Sequence, residues 1–415
     1  MEINDISTLE INESIGIITK DDEESLRAFI KDLNIKGGII YINTPVININ
    51  QKSKLEMSGI IKGGIIGIKQ SNNEYPRINF QNSRDNKRGI RAINIIGNDK
   101  FIKYLIIENS SGNGIYIKGN NNTLDHVISR YNGNSGIQIS DGADSNTLNY
   151  CYSYRNCDVK TFGKNADGFA PKLGPTNTKF IYCFSWDNSD DGFDSFDKVG
   201  DCTNIVTYLH SASWNNGNTD VFIGKYDYDN GRDLDKNMWT IQDIISSDKN
   251  FENNYKNNKY NIDNGKINGM LASEWVNEAK KAMSGNGFKL GSKITEQSQK
   301  IKRIADYCVT FDNKSKGFDN NNSHNCTGCF TNCVSFNNNI NYSLPYIFEK
   351  WNNNWSWGGK QGERITNNEI VKKPKDLNLS KQSFYLIRDK IIKTVYNNQF
   401  PDNINFDDAI DSMEL

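Results

Sequence analysis

NADGFAPKLGPTNTKFIYCFSWDNSDDGFDSFD, residues 165–197, states one phrase twice: Asp167-Gly168-Phe169, then Asp191-Gly192-Phe193. Working outward, glycine followed by an apolar residue recurs at Gly89-Ile90, Gly114-Ile115, Gly136-Ile137, Gly287-Phe288 and Gly317-Phe318, with most spacings between 22 and 32 residues. The phrase that closes each unit recurs as well: CYSYRN (151–156), CFSWDN (183–188), HSASWNN (210–216), CVTFDN (308–313) and CVSFNN (333–338). A unit of two or three short strands cannot bury its apolar face alone; stacked on its neighbours it can. The expected fold is therefore all-β, a parallel β-helix solenoid. Asparagine makes up roughly 15 % of the chain, as expected if one turn of each coil carries an asparagine that bonds its counterpart above and below.

Composition agrees. A chain of 415 residues is long for one compact domain but natural for a solenoid. Its 49 basic and 50 acidic residues leave a net charge of −1, so no positive field exists for binding nucleic acid. No run of about 18 apolar residues occurs, which excludes a membrane-spanning helix. Only 36 % of residues are hydrophobic, but aromatics at 11 % and a near-zero net charge are not the signature of disorder. Cys151, Cys183, Cys308 and Cys333 share one repeat position and are expected to face inward as small apolar residues, with disulfides left open. The CTGC at 326–329 lacks the second pair of ligands that a zinc site needs.

Three segments depart from the repeat. DDEESLRAFIKDL (21–33) places Leu26, Phe29, Ile30 and Leu33 on one helical face, so residues 1–36 are expected to form a cap with a short helix. The solenoid is expected over 37–370. Residues 371–415 form a C-terminal extension that includes the helical segment SKQSFYLIRDKIIKTVY (380–396). Between about 218 and 284 the repeat is lost, which reads as an excursion from one coil or as two degenerate coils. It holds Trp239 and Trp275, expected to wall a groove beside the solenoid.

The acids follow the repeat. Asp167 and Asp191 hold the same phase one coil apart, and so stack about 4.8 Å apart. Asp190 adjoins Asp191, and Asp194 lies on the strand just after Gly192. Four carboxylates on one patch are costly unless a cation or a proton intervenes. An oxygen-only set suits Ca²⁺ better than zinc or copper, although a single acidic turn would read as a solvated surface. In SGNGFKLG (284–291), Lys289 takes the phase of Asp194. If 218–284 is an excursion, Lys289 stands one coil above the acids, and phase alone leaves open whether it is a counter-charge or a reactive group. A cation and a lysine on one open face suit an acidic sugar polymer.

The stretch 165–197, GNGFKLG (285–291) and YCVTFDNKSKGFDNNN (307–322) together resemble the family 9 polysaccharide lyases, which are pectate-lyase-like enzymes. The resemblance covers most of 89–343. It implies a right-handed β-helix and a secreted, monomeric, Ca²⁺-dependent lyase that cleaves a uronic-acid polymer by β-elimination. It also implies metal ligation by Asp167, Asp190, Asp191 and Asp194, and Lys289 as the Brønsted base. Lys172 and Lys316 flank the same face as candidate substrate-binding residues. The N-terminal MEINDISTLEINESIG carries no apolar leader segment. Ser292 stands where the family motif ends in a second glycine, and the span from Asp194 to Lys289 is longer than the family pattern. Two other functions fit the fold. A pectin-directed hydrolase is one, but its Gly-His-Gly motif is missing. A Ca²⁺-binding adhesin or carbohydrate-binding stalk is the other, but it would have no need of Lys289 in phase above the acids.

Overall fold

A computed structural model of the chain describes residues 14–83, 89–198, 203–223, 261–262, 265–266, 272–293, 301–323, 326–345, 347–366, 369–373, 377–396 and 406–411. Apart from a short antiparallel pair, Asn261–Ile262 with Gly265–Lys266, its strands pair in parallel into a ten-stranded and a nineteen-stranded sheet. The larger sheet wraps two faces of a β-helix. The strand Thr123–Arg130 pairs through Thr123–Asp125 with Thr147–Asn149, and through Ile128–Arg130 with Tyr152–Tyr154.

The corner between those two faces is a single left-handed residue in each coil: His126 (φ 54°), Tyr150 (51°), Tyr182 (52°), His210 (49°) and Tyr307 (49°). Such a conformation costs a non-glycine residue about 1–3 kcal/mol. The side chains at this corner stack on one another, with ring centroids 4.8 Å apart for His126–Tyr150, 5.2 Å for Tyr150–Tyr182 and 4.7 Å for Tyr182–His210. Each such pair contributes about 0.5–1.5 kcal/mol, which offsets much of the strain.

The repeat glycine has a steric reason. A Cβ on Gly168 would sit 1.8 Å from Ser185 Oγ, and one on Gly192 would sit 1.9 Å from Ser213 Oγ. Those serines are the middle residues of CFSWDN and SASWNN, so the two repeated phrases touch across the coil. Ser185 Oγ donates to the Gly192 carbonyl at 2.9 Å. The asparagine that ends each phrase forms the expected ladder. Asn132, Asn156, Asn188, Asn216 and Asn313 each donate through Nδ2 to Oδ1 of the next, and Asn313 donates to Asn338, at distances of 2.8–3.1 Å. All six are buried. A buried amide needs such partners, since each unpaired group costs about 1–3 kcal/mol.

Inside, Phe169, Phe193, Phe288, Phe318 and Tyr342 stack rung on rung at 4.6–5.2 Å. Cys151, Cys183, Cys308 and Cys333 are buried free thiols within the same core. Cys326 is buried and Cys329 half-buried, and neither joins a metal-ligand group among the described residues.

The N-terminal helix spans Glu23–Lys36. Asp22 caps it by accepting from Ser25 N, and Leu26, Ile30 and Leu33 close the end of the core. The C-terminal helix Leu377–Tyr396 lies along the outside. Its Phe384, Ile387 and Ile391 are buried with Trp186, Trp214, Phe311 and Phe336 in a second apolar cluster. Within 218–284, strand pairing passes straight across. Asn204–Leu209 pairs with Ile301–Asp306, and Ala212–Trp214 pairs with Val309–Phe311. The strands on either side of 218–284 thus pair with each other directly, and the helix Ala272–Ala282 precedes the strand Phe288–Lys289. Trp239 and the side chain of Trp275 lie outside the described residues. No described helix is long and apolar enough to cross a membrane.

Candidate active site

The ten-stranded sheet presents two side-chain columns to the outside. The first is the residue before each repeat glycine. Here Ser135, Asp167, Asp191, Asn286 and Lys316 follow one another, each main-chain carbonyl accepting from the glycine N–H one coil earlier. Ser135 Oγ donates to Asp167 Oδ2 at 3.0 Å, and Asn286 Nδ2 donates to Asp191 Oδ1 at 2.8 Å. Ser135 and Asn286 thus hold the two aspartates from below and above. The sequence reading did not select either residue, although both share the pre-glycine phase of Asp167 and Asp191. The second column lies two residues after the glycine, where Asp194, Lys289 and Asp319 pair in direct register. Because the alternate position on these strands is the buried phenylalanine stack, Asp194 and Lys289 must point outward.

Asp167, Asp190 and Asp191 form a tight group. A carboxylate oxygen of each lies within 4.8 Å of the others, and all three side chains are buried. Burial raises the Asp190 pKa, and the Asp191 and Asp167 carboxylates raise it further, to well above the ordinary carboxylate value. The Asp167 carboxyl is also raised, chiefly by burial and against the pull of Lys172. Asp190 Oδ1 has no hydrogen-bond partner among the described residues. Asp191 Oδ2 meets the Lys289 ammonium as an ion pair at 2.9 Å. A buried carboxyl oxygen left open in a cluster of acids fits a hard cation, which takes oxygen ligands and removes the repulsion.

Asp194 departs from the four-carboxylate patch. Its Oδ1 accepts from Phe196 N at 2.9 Å, and its Oδ2 accepts from Lys172 Nζ at 2.9 Å. Burial works to raise its pKa, but Lys172 and Lys289 outweigh burial and hold the carboxyl well below the usual range. It lies outside the three-residue oxygen group, facing the lysines.

Lys172 is no ordinary surface lysine. Its ammonium bridges Asp167 Oδ2 at 2.8 Å and Asp194 Oδ2 at 2.9 Å, with the side chain only 17 % exposed. Lys289 Nζ lies 2.9 Å from Asp191 Oδ2 and 3.6 Å from Asp194 Oδ2. Burial would lower its pKa, but Asp191, Asp194, Asp190 and Asp167 together push it well above the ordinary lysine value. Lys316 sits one rung further on, paired with Asp319 at 2.8 Å and away from the carboxylate group.

The description "Pel9A-like, right handed beta helix region" fits residues 24–233, half of the chain. Pectate lyase L of Dickeya dadantii (strain 3937) is 30 % identical over 252 residues, which cover 60 % of this chain and 44 % of that protein. Pectate lyase L of Paenibacillus polymyxa (strain SC2) is 27 % identical over 275 residues, covering 63 % and 58 % respectively. The chain thus spans about half the length of the relatives it matches. Among solved structures, pectate lyase Pel9A superposes with a TM-score of 0.56 at 23 % identity, over 84 % of this chain and 74 % of that one. A rhamnogalacturonan lyase superposes with a TM-score of 0.60 at 15 % identity, over 87 % of each chain. These two likenesses concern the fold. With the parallel coils, the Asp-Gly-Phe repeat and the family match in agreement, the chain belongs to the Pel9A-like right-handed β-helix family of polysaccharide lyase family 9.

Proposed function

We propose that this chain is a Ca²⁺-dependent, secreted, monomeric lyase that cleaves a uronic-acid polymer of the pectate type by β-elimination. The observation that carries the reading is the meeting of two unlike features on one rung pair. A buried carboxylate group has an open oxygen at Asp190, and a lysine ammonium lies 2.9 Å from the neighbouring Asp191. In such a reaction the proton on C5 of the uronate, α to the C6 carboxylate, is removed. The C4–O bond then breaks, leaving a C4–C5 double bond on one sugar, while the oxygen of the released chain takes the bonding pair and a proton from solvent. Asp167, Asp190 and Asp191 would hold the cation, with Asp194 at its edge. When bound, Ca²⁺ supplies positive charge that offsets these carboxylates and acidifies a proton next to a coordinated substrate carboxylate.

The chain's own residues do the rest. Lys289 is the base. It must be neutral to take the C5 proton, and the carboxylates that now favour its ammonium form are the ones that would hold the cation. Lys172 bridges Asp167 and Asp194 and holds both side chains in place. Lys316 flanks the groove as a further contact for a substrate carboxylate.

A hydrolase built on a carboxylate pair fits less well. Such a mechanism needs only a carboxyl acid and a carboxylate, and gives no role to the Lys289 ammonium at 2.9 Å from Asp191. Polygalacturonate supplied with and without Ca²⁺ and followed by ultraviolet absorbance tests the reading. A lyase produces an absorbing double bond, whereas a hydrolase yields reducing ends without absorbance and a binding stalk yields neither.

A further inference from the structure

The outward column that carries Asp194 and Lys289 continues toward the N-terminal end of the ten-stranded sheet. In register it reads Glu56, Asn94, Tyr116, Gln138 and Ala170, and Phe169–Phe193 pairing brings it to Asp194. Tyr116 is three rungs from Asp194, about 14 Å at the spacing of adjacent strands. At this end the face opens into a concavity of roughly 580 Å³ whose lining includes Arg91, Asn94, Tyr116 and Lys118. That is the size of a site for a small ligand or for one or two sugar rings.

Its polar groups are ordered around one cation. The Arg91 guanidinium lies 3.5 Å from the centroid of the Tyr116 ring. Tyr116 is only 3 % exposed, and its hydroxyl donates to Asp141 Oδ2 at 2.8 Å. Lys118 pairs with Asp141 at 3.3 Å, and Lys54 pairs with Glu56. Both acids of the concavity therefore already have lysine partners, whereas Arg91 is exposed and joins no ion pair among the described residues. Asn94, 4 % exposed, lines the same concavity with an amide oxygen that has no hydrogen-bond partner among the described residues. A guanidinium seated over a buried ring presents a planar fork of donors, the geometry that grips a carboxylate in two places.

We propose that this concavity is a distal subsite for the acidic polysaccharide. Arg91 takes a uronate carboxylate, Asn94 Oδ1 accepts from a neighbouring hydroxyl, and Lys118 donates to a hydroxyl or a second carboxylate, three or more rungs from the bond that is cleaved. The proposal rests on the lyase reading for its substrate class. The subsite holds the polymer without touching the reacting sugar, so it acts on binding of long chains alone.

The test uses Arg91→Ala, Arg91→Lys and Lys118→Ala in the full chain, with melting temperature as a check on folding. On long polygalacturonate, Arg91→Ala is expected to raise KM about five- to tenfold with kcat within twofold. On a trimer, too short to reach the concavity, both constants stay as in the wild type. Arg91→Lys keeps the charge without the fork and falls between the two. An unchanged KM on the long polymer, or an equal loss on the trimer, overturns the proposal. Electrophoretic retardation in gels containing polygalacturonate or its neutral methyl ester separates this proposal from the lyase reading. A chain with no lyase activity that is still retarded by the acid polymer through Arg91 upholds the subsite alone. No Arg91-dependent retardation overturns it whatever the activity.

Discussion

The Lys289 ammonium lies 2.9 Å from Asp191 Oδ2, although the strand register sets Lys289 above Asp194. The lysine therefore leans from its own column into the column of the metal-ligand candidates. This lean couples the proposed base to the proposed cation site, and the first two predictions test each half.

Replacing Lys289 with alanine is expected to lower turnover by about 10²–10⁴, the range for loss of a general base. Ca²⁺ affinity should hold or tighten, because the variant removes a cation from beside Asp191. Arginine at this position should not restore activity, since a guanidinium keeps its proton. Steady-state rates and calcium titration calorimetry measure the two effects separately; retention of most of the turnover would sink the assignment.

Chelation of divalent ions should abolish activity while leaving the circular-dichroism signature of the β-helix intact, because the phenylalanine and asparagine stacks hold the coils together without a cation. Asp191→Asn should weaken Ca²⁺ binding strongly, and Asp319→Asn hardly at all, since Asp319 pairs with Lys316 outside the carboxylate group. Ca²⁺ at 100 times its Kd should stabilise the native chain by about 2.7 kcal/mol. A loss of β-structure on chelation would instead make the ion a folding element.

Lys172→Met should destabilise the metal-free protein by about 3–5 kcal/mol, the cost of leaving a buried charge without its partner, since Asp167 and Asp194 both rely on that ammonium. Saturating Ca²⁺ should recover part of the loss. Thermal melts with chelator and with calcium give the comparison; equal losses in both would separate Lys172 from the cation site.

Arg155 and Asp187 form a buried pair away from the groove, 3.2 Å apart, with Asn215 also donating to Asp187. Burial raises the Asp187 carboxyl above its ordinary pKa even though Arg155 opposes the rise. A group raised on folding favours the native state below its unfolded pKa and ceases to as pH climbs through its folded value. Arg155→Met removes the opposing charge and raises Asp187 further. The variant's deficit should therefore be largest near pH 8 and shrink toward pH 5. Urea titrations across this range measure it, and a deficit independent of pH would contradict the sign.

Gly192→Ala should impair the site through the backbone. The added Cβ would meet Ser213 Oγ at 1.9 Å, forcing apart the rung that carries Asp191 and Asp194. Ser213→Ala in the same chain should recover part of the loss in melting temperature and activity, and no recovery would place the strain elsewhere.

The sequence by itself determined the coil. A repeat of one glycine, one apolar residue and one closing asparagine has a single compact solution, because each coil buries its face only against its neighbours. Repeat phase also carried Asp167, Asp191, Asp194 and Lys289 to adjacent rungs, since parallel pairing keeps equivalent positions one above another. It likewise held the signal for Ser135 and Asn286, which share the pre-glycine phase of the two aspartates. How side chains divide among partners within those columns depends on the folded chain. Lys172 leaves its strand five residues after Asp167 and bends back to it, which no phase rule states. Asp194 turns to the two lysines and away from the carboxylate group because a buried anion takes the nearest cation. The Arg91–Tyr116 contact joins residues 25 positions apart on neighbouring coils, one from a loop and one from a strand. Periodicity sets which rung a residue occupies; the reach of its side chain and the charges around it set what it touches.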